Sequence, residues 1–104
     1  MISEITIRKV RELAIEDVLS PYVRLSRKGS TLMGLCPFHS EKTGSFAVTP
    51  SKNLFHCFSC NRGGDSITFI MEKENLSFSA AVEFIARNHN IPVEYISEER
   101  SEEQ

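Results

Sequence analysis

Apolar positions in the first twenty residues repeat at helical spacing: Val10, Leu13 and Ala14, then Ile15, Val18 and Leu19. Ser3 stands where it can cap a first turn carrying Glu4, and Pro21 disfavours helix at Ser20. The pattern predicts a helix over residues 3–20. The period then falls to two. YVRLSR alternates apolar and basic residues as a half-buried strand does, KGS reads as a turn, and TLMGL as the second arm of a hairpin. SFAVT and LFHCF are two more strands joined by a PSKN turn. Gly63 and Gly64 break the sheet pattern. Asp65 or Gly64 then caps a helix with Ile67, Ile70 and Met71 on one face. Ser77 caps a last helix with Ala81, Val82, Ile85 and Ala86 as its buried stripe, ended by Ile91-Pro92. The organisation expected is one domain over residues 1–96, followed at 97–104 by an acidic tail or linker stub without an apolar residue.

Composition changes little in that picture. The chain has 104 residues, enough for one domain with a modest core. It has no run of about 18 apolar residues and no signal-type apolar block near its start, so a cytoplasmic location is the default. Charge changes more. The net charge of −2 conceals a segment from Tyr22 to Arg62 with six basic residues and one acid. One sign gathered in one segment suits a polyanion partner, and a solvated sheet surface is the competing reading.

The three cysteines carry the chemistry. An odd number in such a chain argues against a disulfide framework. Cys36 and His39 are separated by two residues, as are Cys57 and Cys60, and seventeen residues lie between the pairs. A two-residue gap lets one tight turn aim both side chains at one metal, and two such turns supply a tetrahedron. Four ligands leave no open position, so one structural Zn2+ is expected rather than a catalytic one. A CFSC redox pair is the weaker alternative, because a strand-then-helix context is missing. His56 adjoins Cys57, and strand alternation turns it away from the metal. His89 has a capping or packing role at the end of the last helix.

The runs GLCPFHSEKTGSF and HCFSCNRGGD resemble the N-terminal zinc-binding domain of bacterial-type DNA primases. IEDVLSPYVRLSRKG before them and FIMEKENLSFSAAVEFIARNHNIPV after them extend the likeness to roughly residues 4–95. The resemblance implies an α+β fold, a zinc ribbon on an antiparallel β-sheet of about five strands with flanking helices. It implies a domain that binds single-stranded DNA template and helps select the start site for RNA primer synthesis. It places the catalytic centre in a separate primase catalytic domain, supplied in cis or trans, and a replicative helicase among the partners of the parent protein. Within that reading the DNA-binding candidates are Arg24, Arg27, Lys28, Lys42, Lys52, His56 and Arg62. Phe46, Phe55 and Phe58 are candidate base-stacking platforms, with a core role as the competing reading for each. A zinc-ribbon adaptor that docks on another replication protein through its helices is the alternative function. The sequence departs from the family pattern at Gly44, usually Pro, at Ser59 and Asn61, usually glycines, at Ser30 and Leu32, commonly a basic residue and an aromatic, and at Pro21, where a helix usually continues.

Overall fold

The structure is a computed structural model and describes residues 1–38 and 45–96. His39, Lys42, Gly44 and the acidic tail therefore lie outside the described residues. Four helices and five strands follow in the order α1 (Glu4–Arg11), α2 (Ile15–Leu19), β1 (Ser26–Lys28), β2 (Thr31–Gly34), β3 (Phe46–Thr49), β4 (Leu54–Cys57), β5 (Arg62–Gly64), α3 (Ser66–Glu74) and α4 (Phe78–Asn88). The strands form one antiparallel meander in the order β1-β2-β3-β4-β5.

The helix caps fall where the sequence puts them. The Ser3, Asp65 and Ser77 side chains accept from the backbone N–H three residues on, at Thr6, Thr68 and Ala80. Ala81, Val82, Ile85 and Ala86 are all buried.

Residues 3–20 are not one helix. Ala14 is extended, and the chain restarts as α2. Both pieces keep the helical period, so periodicity alone cannot show the break. What stabilises it comes from the β3–β4 turn. Asn53 Oδ1 accepts from Ile15 N–H at 2.9 Å, while Nδ2 donates to the carbonyls of Arg11 at 3.1 Å and Leu13 at 2.9 Å. One side chain thus caps the start of α2 and serves orphan carbonyls at the end of α1. Asn53 sits in the left-handed region, φ 57°, which Asn tolerates better than most residues. Asn53→Ala removes three hydrogen bonds worth about 0.5–1 kcal/mol each and adds backbone strain of about 1 kcal/mol. The expected loss is about 2.5–4 kcal/mol in urea unfolding. Asn53→Gly, which relieves the strain, should fall between wild type and Ala. A cost for Ala below about 1 kcal/mol would mean the latch is decorative.

Two further expectations change. β1 begins at Ser26 rather than Tyr22, because the N–H groups of Tyr22 and Val23 still bond the Leu19 carbonyl at the end of α2. Arg62, Gly63 and Gly64 form a fifth strand instead of breaking the sheet, since pairing to β4 supplies what their β propensity lacks.

Register assigns the two faces. Directly paired residues share a face, so Gly34, Phe46, Cys57 and Arg62 form one row and Arg27, Leu32, Val48, Phe55 and Gly64 the next, on the same side. Phe46, Val48, Phe55 and Cys57 are buried there against the helical layer, with Phe69 at its centre. The opposite face carries Ser26, Met33, Ala47, His56 and Gly63 in one row, and no helix covers it among the described residues.

Candidate metal centre and the open sheet face

β2 runs out at Gly34 and delivers Cys36, β4 ends at Cys57, and the turn into β5 carries Cys60. Their sulfur atoms all lie within 4.8 Å of one another, with Cys36 Sγ and Cys60 Sγ 3.7 Å apart. Thiolates about 2.3 Å from a tetrahedral zinc stand about 3.8 Å from each other, so the spacing is that of zinc ligands and far too long for a disulfide. The second turn is built for this. Asn61, at φ 60°, adopts the left-handed conformation and its N–H reaches back to the Cys57 carbonyl at 2.8 Å. Asn is the residue that replaces glycine there with least strain, which accounts for that departure from the family pattern.

The electrostatics call for a cation. Burial pushes the Cys36 thiol up to about 12, with the neighbouring Cys57 and Cys60 adding to the shift. Burial also raises Cys57, but hydrogen bonds from the Cys60 and Ser59 amides and the Cys36 and Cys60 thiols outweigh it, and the net shift is down. Three packed sulfurs cannot all be thiolates without a positive partner. Cys36, Cys57 and Cys60 would hold Zn2+, which supplies a cross-link between two loops.

The first ligand loop is also held from the helix side. Lys73 Nζ of α3 donates to the Pro37 carbonyl at 3.1 Å. The Arg62 guanidinium lies 4.9 Å from the Phe38 ring centroid, and Arg62 Nε pairs with Glu72 at 3.2 Å. No local signal marks Lys73, Glu72 or Phe38, because these contacts join segments far apart in sequence.

The other candidates divide by face. Arg24 and Lys28 line one hollow with Ser26 on the open side, and His56 lies on that side too. Arg27 and Arg62 share the face of the core rows, Arg62 being engaged with Phe38 and Glu72. Lys52 is exposed in the β3–β4 turn. Phe46 and Phe55 stack on each other in the core, 5.4 Å between centroids, so neither is a base platform; alternation places both inward. Phe58 is 69% exposed, its ring 4.6 Å from that of His56. A Cβ at Gly63 would stand only 3.1 Å from His56 Nδ1, so the imidazole rests where Gly63 has no side chain.

Residues 2–101 match the CHC2 zinc finger family. The chain belongs to that family. Its CHC2 domain is 47% identical over 96 residues to the DNA primase of Streptomyces coelicolor, covering 90% of this chain and 15% of that protein. It is 48% identical over 86 residues to the DNA primase of Geobacillus stearothermophilus, covering 82% of this chain and 14% of that protein. The crystal structure of the Aquifex aeolicus primase, comprising zinc binding and RNA polymerase domains, superposes with a TM-score of 0.79 at 39% identity, covering 88% of this chain and 24% of that one. The CHC2 domain thus has a primase zinc-binding fold, and the family and the clustered sulfurs together identify a structural zinc. No helix is long and apolar enough to cross a membrane among the described residues.

Proposed function

We propose that this domain binds single-stranded DNA template on its open sheet face and helps select where a cytoplasmic DNA primase starts RNA primer synthesis. The primase catalytic domain acts with it in cis or trans, and the parent protein is the link to a replicative helicase. The supporting observation is the face itself: Arg24, Lys28 and His56 lie on the side that no helix covers among the described residues, beside an exposed Phe58. Cations that follow a backbone, interleaved with rings that accept any base, suit a single strand. His39 is the fourth zinc ligand in this reading, and Lys42 and Lys52 are further DNA contacts. The adaptor alternative has less support, because the apolar stripe of α4 is buried and, among the described residues, Ile5 and Phe78 are the large apolar side chains left exposed on the helices.

The test is fluorescence anisotropy of a labelled oligonucleotide against the zinc-loaded chain over a salt series. Wild type should bind with a steep salt dependence. Arg24→Ala plus Lys28→Ala should weaken binding and flatten the log–log salt slope by about 1.4, roughly 0.7 per phosphate contact. Binding that ignores both substitutions would overturn the open-face reading.

A further inference from the structure

The open face holds a hollow of about 690 Å³ at the β1–β2 edge, lined by Arg24, Ser26, Lys28, Met33, Gly34 and Leu35. That volume falls in the range of small-molecule sites. We propose that the hollow seats one unpaired nucleotide, its base on Met33 and Leu35 and its flanking phosphates on Arg24 and Lys28. The assignment rests on the template-binding reading and adds to it where a base is held.

Four observations carry it. Arg24 and Lys28 line the hollow with Ser26 between them in sequence, and both side chains are long enough to reach in toward separate phosphates. The lining contains two cations and no acid, so an anion is favoured. Its floor is apolar, with Leu35 50% exposed and an adaptable thioether beside it, which a bare phosphate would leave unused. Its wall depends on Gly34: a Cβ there would stand 2.6 Å from the Arg24 carbonyl and 2.9 Å from Val23, so only glycine lets residues 23–25 close against β2. The position also fits one strand of DNA. Ser26, Met33, Ala47 and His56 succeed each other across β1 to β4, three strand spacings or about 14 Å. At about 3.4 Å per stacked nucleotide, roughly four nucleotides reach from the hollow to the His56–Phe58 pair.

Two probes separate base from backbone: an oligothymidylate and the same strand made wholly abasic. With the zinc-loaded chain, Met33→Ser plus Leu35→Ser should weaken oligothymidylate binding on the order of tenfold, about what covering one apolar side chain with a base contributes. The same variant should leave abasic-strand affinity and the salt slope unchanged. Leu35→Ser alone, at a half-exposed position, should show part of the effect, and zinc content and circular dichroism confirm folding of both. If wild type binds DNA but the variants lose nothing, or lose both strands equally, the seat is wrong and template binding stands. If wild type binds neither strand at low salt, both readings fall.

Discussion

Removing zinc abolishes the cooperative unfolding of this domain. Binding of a structural zinc contributes on the order of 10–16 kcal/mol of apparent free energy at neutral pH, more than the whole stability of most small domains. The expected result is a urea transition for the zinc-loaded chain and none after chelation, with circular dichroism showing loss of sheet. Cys57→Ser should reproduce this, since Cys57 is fully buried at the end of β4 and serves both the metal and the core. The pH dependence follows from the thiols. Without metal, burial holds the Cys36 thiol up to about 12, so at neutral pH it carries a proton that zinc must displace. Binding therefore releases protons, and affinity weakens as pH falls. Calorimetry in buffers of different ionisation enthalpy should count at least one proton, that of Cys36, released per zinc near neutrality. A chelated chain that keeps a full cooperative transition would show that the sheet and helices suffice alone.

The three sulfurs of that centre were legible because the Cys57–Cys60 spacing is local. Two residues between ligands fix a turn, and the turn survives whatever surrounds it. The helix caps at Ser3, Asp65 and Ser77 were legible for the same reason. The basic segment was legible as charge but not as surface. Arg27 and Lys28 are neighbours in sequence and belong to opposite faces, and only the register with Leu32 and Thr31 decides which is which. Arg62 reads as a DNA contact by charge, yet a ring and a carboxylate from other segments claim it. The break between α1 and α2 could not be read at all, because its stabiliser, Asn53, lies about forty residues away in a turn whose own composition is ordinary. Strand β5 was hidden because Arg-Gly-Gly has no intrinsic preference for extended pairing.

Phe69→Ala should be the most damaging substitution away from the metal, at about 3–5 kcal/mol, the usual range for emptying a buried phenylalanine site. Phe69 is fully buried on α3 and is the ring on which the others converge. It stands edge-on to Tyr22 at 5.5 Å, to Phe55 at 5.4 Å and to Phe46 at 6.0 Å, and tilted against Phe38 at 5.2 Å. Those partners come from the segment after α2, from β4, from β3 and from the first zinc loop. The cavity would therefore open where the helical layer, the sheet and the metal loop meet, and no one of them can relax into it without leaving the others. Phe69→Leu keeps most of the volume and should cost much less. Urea unfolding of the zinc-loaded variants measures both. The contact with Phe38 adds a second expectation: zinc should pass to a chromogenic chelator faster from Phe69→Ala than from wild type. Phe38→Ala should accelerate release too, and the double variant should fall short of the sum, as touching residues do. Release at the wild-type rate despite the stability loss would separate the aromatic core from the metal loop and leave Lys73 and Arg62 as the contacts that hold it.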